Sequence, residues 1–285
     1  MESSPESGPG TCANCAHTIS ERFCGHCGQA RFVDADRRLG HLVKLALLDV
    51  FSWDGRWLRS FWALLARPGC LAYSYLSGQR QRYLSPITLF LLINVAYFLQ
   101  PPITDFNLPF ENQVGEQFHA SLSAPLLERH LRSEGLTRAQ FAPVYESRSG
   151  EIGKLLLIVH APIIALALML ALWGSGRYYA EHTVVALHLL TWTLVLPMLV
   201  APMLYLIAQF PQLDSDRLVG GGTLPMAMSL LLAGSLLLYF ALTVRRAYQA
   251  PWWRALLAAP ICVLALFCGH MIYRGLQFVA VIWLS

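Results

Sequence analysis

Four cysteines near the start of the chain, Cys12, Cys15, Cys24 and Cys27, follow the pattern Cys-x2-Cys-x8-Cys-x2-Cys within TCANCAHTISERFCGHCGQA. A Cys-x-x-Cys pair closes into a tight knuckle whose two thiolates point the same way, and two knuckles complete the tetrahedral sulfur shell that zinc accepts. The same spacing is open to disulfide pairing, to thiol redox exchange and to rubredoxin-like iron. A reducing compartment favours metal over disulfides, so the expectation is one Zn2+ held by all four cysteines. With thiolates in every position no coordination site remains for water, and the metal is structural, holding together a module too small for a core of its own. His17 and His26 read as exposed knuckle residues rather than ligands. Cys70, Cys262 and Cys268 are scattered through the rest of the chain.

A second group of chemistry-bearing residues is embedded in apolar sequence: Asn94, His160, His270 and Arg274. Ionisable side chains are costly in hydrocarbon, so each is a candidate site, with helix-to-helix hydrogen bonding as the ordinary outcome. Counting along the helices brings His160 and His270 to the same half of the membrane, where they can face one another. A metal would need more ligands than that pair. Arg274 is close enough to a boundary to extend its guanidinium to water. Glu181 and His188 are seven residues apart and share a helix face, while His182 lies on another flank. Their separation of about 10.5 Å along the axis is too great for one ion to bind both. The expected arrangement is a clamp in which Glu181 pairs with Arg80 or Arg82 and His188 bonds a polar group on another helix. The competing reading is a metal or proton-relay site.

Positioning these groups requires a membrane protein. The chain has 285 residues, 55% hydrophobic and 13% charged, with a mean hydropathy of +0.47, against roughly a quarter charged in soluble domains. The class is an all-α polytopic membrane protein with about five transmembrane helices and a small N-terminal cytoplasmic zinc ribbon. The spans fall at 84–99, 155–173, 184–207, 224–244 and 255–273, the last able to continue towards Leu284, each near the roughly 20 residues a crossing needs. Pro86 suits a first helical position, so the first span opens at Ser85 or Pro86. Arg80 and Arg82 beside that span keep its near end in the cytoplasm. Five crossings then place the 174–183 and 245–254 loops inside, the second carrying Arg245, Arg246 and Arg254, with Trp252 and Trp253 at the interface.

Residues 1–10 are expected to be a disordered leader with no apolar core of a signal peptide, and residues 11–30 the ribbon. Residues 39–83 form a Trp- and Arg-bearing amphipathic segment suited to the headgroup boundary. The extracytoplasmic stretch 101–154 shows helix starts at Pro125 and at Thr137 with Gln140, and a stop at Gly135. It is expected to hold two short helices rather than a domain.

Three stretches together resemble a family of uncharacterised bacterial inner-membrane proteins, a domain-of-unknown-function family. They are the double Cys-x-x-Cys ribbon ending Cys27-Gly28-Gln29, the approach Pro68-Gly69 with Gly78-x-Arg80-x-x-Tyr83-x-x-Pro86, and Glu181-His182 followed by Ala186-Leu187-His188. The resemblance covers the first 100 residues best. It implies an N-terminal zinc ribbon followed by several spans in the bacterial inner membrane, and it implies no activity.

No acid, base and nucleophile arrangement of a recognisable enzyme is found. The leading expectation is therefore a membrane-anchored ribbon that serves as an interaction or regulatory module, its partners being the bilayer and a cytoplasmic protein. A net charge of +3 over residues 1–85, ten basic against seven acidic, is a weak footprint for nucleic acid. The alternatives are a small transporter or channel lined by Asn94, His160, His270 and Arg274, and a membrane-embedded enzyme acting on lipid.

Overall fold

The computed structural model describes residues 10–31, 40, 55–99, 106, 108–115, 117–208 and 223–285. The leader through residue 9, and residues 39 and 41–54 of the amphipathic segment, lie outside the described residues. The ribbon contains one antiparallel pair, β1 (Gly10–Thr11) with β2 (Thr18–Ile19), and beyond it the named elements among the described residues are helices. In chain order the helices are α1 (Arg56–Ala66), α2 (Cys70–Leu76), α3 (Pro86–Leu99), α4 (Phe110–Gly115), α5 (Ala120–Glu134), α6 (Arg138–Leu156), α7 (His160–Ala171), α8 (Tyr179–Ala208), α9 (Thr223–Tyr248) and α10 (Trp252–Leu284). A 3-10 turn, Leu157–Val159, joins α6 to α7.

Among the described residues four helical stretches are long and apolar enough to cross a membrane: Arg138–Ala171, Tyr179–Val200, Leu230–Tyr248 and Trp252–Leu284. The first expected span, α3, has 14 residues, about 21 Å at 1.5 Å per residue and short of the roughly 30 Å hydrocarbon core. It opens as its sequence dictates: the Thr88 amide donates to Ser85 Oγ (3.2 Å), and Pro86 occupies the position where a missing N–H costs nothing. α10 buries Ala255, Ala258, Ala259, Cys262, Ala265 and Gly269. Such small residues let neighbouring backbones approach closely, and His160 of α7 lies against Gly269.

The 101–154 stretch holds more than the two short helices expected of it. α4, α5 and α6 have a core of their own, in which Phe110, Leu127, Leu131, Phe141 and Tyr145 pack with Phe278, Val281 and Ile282 of α10. One face of the last third of α10 is thus covered, and α4, α5 and α6 form a small helical cap rather than two isolated helices. Pro125 is not a helix start either. It lies inside α5, which begins five residues earlier; Ser123 turns its hydroxyl back onto the His119 carbonyl (2.8 Å), so a residue that resembles a cap is already within the first turn. The Thr137 start does form, as a reciprocal capping box with Gln140, and Gly135 ends α5 in the left-handed region.

α1 and α2 lie along the ends of α8 and α9. α1 turns Ser60, Ala63 and Leu64 inward and leaves Trp57 and Trp62 exposed. Tyr239 of α9 donates to the Leu64 carbonyl (2.9 Å). Between α1 and α2, Gly69 sits at φ 74°, and a Cβ there would stand 2.8 Å from the Thr243 carbonyl oxygen and 2.9 Å from the Arg246 Cβ. Gly135 has a similar φ of 66° with open space around it. Replacing Gly135 by Ala should therefore cost about 1 kcal/mol, the left-handed penalty alone. Gly69→Ala should cost about 3 kcal/mol or more, because the clash with α9 is added. Thermal unfolding in detergent measures the difference, and equal losses would mean that α9 yields at no cost.

Candidate metal centre and the buried polar groups

The two knuckles are built alike. In each, the first cysteine's N–H donates to the carbonyl five residues on, Cys12 to His17 (2.8 Å) and Cys24 to Gln29 (2.9 Å). Each first cysteine's carbonyl accepts from the residue four on, Ala16 (2.9 Å) and Gly28 (2.8 Å). Those two residues share the left-handed conformation, at φ 61° and 71°. The flanking pairs, Thr11 with Thr18 and Phe23 with Ala30, occupy equivalent places. The ribbon is therefore two copies of one loop, and the repeat turns four sulfurs inward. Sγ of Cys12 is 3.6 Å from that of Cys27, Cys15 is 3.5 Å from Cys24, and all four lie within 4.8 Å of one another.

That spacing fits a tetrahedral thiolate shell, whose sulfurs stand about 3.8 Å apart around an ion at 2.3 Å. The protonation chemistry fits as well. Backbone hydrogen bonds from Cys27 and then His26 pull the Cys24 thiol down to about 6. At Cys15 the backbone contact with His17 favours the thiolate, but desolvation and the neighbouring thiols Cys24, Cys27 and Cys12 together push the value up to about 12. One thiolate forms readily and opposes the next, so four together call for a cation. His17 and His26 stack outside the cluster, ring centroids 4.0 Å apart, and with Cys15 they form a second group close enough to share an ion.

Gln29 follows the second knuckle and is 4% exposed. Its Nε2 donates to the Gly78 carbonyl (2.7 Å), and its Oε1 accepts from the Arg80 N–H (3.0 Å). A Cβ at Gly78, which adopts φ 84°, would meet Ala13 of the first knuckle at 3.1 Å. The ribbon is thus seated on the turn between α2 and α3. Arg80 continues the contact into the helices, its guanidinium 4.9 Å from the Tyr75 ring, and Tyr75 packs with Ala180 and Val184 of α8. Gln29 was legible only through its place in the Cys27-Gly28-Gln29 motif. Neither charge nor hydropathy marks it.

The polar residues of the helical body fall into two groups. Near the ribbon, Glu181 Oε1 accepts from Arg177 Nη1 (2.9 Å), and its Oε2 accepts from the Tyr178 N–H (2.9 Å). The carboxylate thus closes the start of its own helix. Arg82 lies over the Tyr83 ring at 5.4 Å. His182 Nδ1 meets Tyr248 Oη of α9 at 2.7 Å, and the rings stack. His188 points its Nδ1 at the Val184 carbonyl one turn back (2.7 Å), a bond within its own helix rather than to another. It is therefore His182, not His188, that links two helices here. Tyr248 and Arg177 escaped sequence reasoning because both partners look like ordinary boundary residues.

At the other end, His160 and His270 face one another with ring centroids 5.9 Å apart. Phe106 and Tyr273 enclose them, Phe106 at 4.9 Å from His270, with Tyr273 Oη donating to the Phe106 carbonyl (2.8 Å). His160 Nδ1 meets the Leu157 carbonyl at 2.9 Å. Among the described residues His160 Nε2 and both His270 nitrogens are buried without a partner. Asn94 donates to the Lys154 carbonyl (2.8 Å), tying α3 to α6. Arg274 Nη1 donates to Gln117 Oε1, on the cap side of the pair.

Fold and centre together define a helical, membrane-type chain that carries an extramembrane four-cysteine group able to hold a metal. Residues 54–98, which run from α1 through most of α3, match the family model described as a protein of unknown function, DUF3667. No curated protein matches the chain. No solved structure matches it.

Two outcomes follow for the centre. Purified protein should carry about one metal ion per chain by elemental analysis, and Cys24→Ser should lose it, because one missing thiolate opens the shell. Gln29→Ala should keep the metal yet free the ribbon from its seat, raising the rate of tryptic cleavage after Arg31 severalfold. Unchanged proteolysis would mean that the ribbon is seated without the Gln29 bridge.

Proposed function

We propose that the chain is a membrane-anchored zinc-ribbon protein whose ribbon is a fixed docking module for a cytoplasmic protein partner. Zinc is the metal best suited to four closely spaced thiolates with no open position. The N-terminus then lies in the cytoplasm of a bacterial inner membrane, and five crossings, counting the short α3, place the 245–254 loop on the same side as the ribbon. The observation that carries this reading is the Gln29 bridge, which holds the ribbon in one pose on the turn leading to α3. A module held in this way presents a rigid face. That face includes Phe23, 55% exposed, with Arg22 stacked over its ring, and the exposed histidine pair His17 and His26. Aromatic and arginine side chains are the residue types that anchor protein interfaces.

A photo-crosslinker placed at Phe23 of the full chain, in cells, should capture a discrete partner. The adduct should vanish in Cys24→Ser, which breaks the ribbon, and persist in Glu181→Gln, which leaves it intact. An identical adduct pattern in the Cys24→Ser chain would end the docking role.

A second reading, a small transporter or channel, is favoured by the facing pair His160 and His270 with its open ring nitrogens. Flux through proteoliposomes that stops in His160→Ala would establish it, whereas the docking reading expects no flux in any variant.

A further inference from the structure

At the ribbon end of the helical body, outside both groups of polar residues, a cavity of about 400 Å³ opens between α9, α10 and the turn after α1. Its walls are Pro68, Leu242, Arg245, Arg246, Gln249 and Trp252. The lining is half basic or amide and half apolar, and among the described residues it contains no carboxylate. Among the described residues neither arginine forms an ion pair there. Arg245 rests on the Trp252 ring at 4.3 Å and reaches the Ala250 carbonyl at 3.3 Å. The backbone of Gly69 passes close to the Arg246 Cβ, while the residue as a whole is exposed. Gln249, held at φ 53°, folds its amide back to the Arg246 carbonyl (3.0 Å) and closes one edge.

Two arginines in the lining, with no carboxylate in it among the described residues, suit the cavity to an anion. Their planar forks match phosphate oxygens better than a point charge does. The setting of the mouth points to where that phosphate comes from. Trp252 and Trp253 are 48% and 59% exposed, and Leu256 and Leu257 follow one turn further along α10, each 60% exposed. Indoles followed by bare leucines mark the boundary between headgroups and acyl chains. The cavity therefore opens at headgroup depth, its basic wall towards water and Leu242 towards the chains.

We propose that this cavity binds a phosphate group, presented by an anionic phospholipid headgroup or by soluble phosphate, through Arg245 and Arg246. The site belongs to the helical body and does not depend on the ribbon's partner. Because Pro68 forms part of its wall, the segment that matches the family model contributes to it.

Native mass spectrometry of the full chain released from detergent reads the occupancy directly. Titration with phosphatidylglycerol should give one saturable adduct, about tenfold weaker in Arg245→Gln/Arg246→Gln, the loss expected for one or two charged hydrogen bonds. Arg254→Gln removes one positive charge, as Arg246→Gln alone does, beside Trp253 but outside the cavity, and should bind as the parent does. Arg246→Gln alone, at an exposed position, serves if the double variant fails to fold. Inorganic phosphate that binds with equal strength and the same arginine dependence assigns the site to a soluble phosphate. Equal binding of phosphatidylcholine, full binding by the arginine variants, or an equal loss in Arg254→Gln would overturn the proposal.

Discussion

The carboxamide of Gln29, with one hydrogen bond given to Gly78 and one taken from Arg80, is the link on which the arrangement of ribbon and helices depends. The interior of the ribbon consists of its own cysteines and Ile19, so it buries too little apolar surface to hold a pose by packing. Backbone groups of a turn cannot be left unpaired once buried, and the amide satisfies one donor and one acceptor at once. The turn it grips leads directly into Ser85 and Pro86, where α3 begins. Cysteine cluster, turn and first apolar helix therefore form one continuous chain of contacts.

Beyond that turn the body relies on close approach. Gly69 admits the backbone of α9, and the alanines of α10 admit its neighbours. In a setting where lipid is as apolar as leucine, close packing and interhelical hydrogen bonds supply the attraction. The bridges from Tyr239 to the Leu64 carbonyl, from His182 to Tyr248 and from Asn94 to the Lys154 carbonyl each tie helices that are remote in sequence. Arg274 and Glu181 obey the same economy, each engaging neighbours near a helix end.

Much of this was legible in the sequence, and the failures have physical causes. Cysteine spacing announces its sulfur cluster because four ligands of one type in a short segment have few other uses. Ser85-Pro86 and Thr137-x-x-Gln140 announce helix starts because caps act locally. Pro125 misled because a proline tolerated inside a helix carries the same local signal as one at its start. The cap core was hidden because Phe110, Leu127 and Phe141 acquire a shared interior only when Phe278, Val281 and Ile282 arrive from far along the chain. Gln29 and Tyr248 were silent for a related reason, since neutral hydrogen-bonding groups show their importance only through partners.

α10 has one further consequence. From Trp252 at its start to Ile272, where it meets the cap, the helix advances about 30 Å, close to the thickness of a bilayer's hydrocarbon core. The remaining turns bury one face, Phe278, Val281 and Ile282, against α4, α5 and α6 and leave Leu276, Trp283 and Leu284 exposed on the other. One unbroken rod thus acts as a ruler with a stop at each end, an indole pair at one and a folded cap at the other. A thicker bilayer would have to draw polar cap residues into hydrocarbon, and a thinner one would uncover apolar residues at the ends of the span, such as Leu256 and Ile272. The distance between the indole pair and the cap is thus the length that a bilayer core of ordinary thickness asks of a crossing helix.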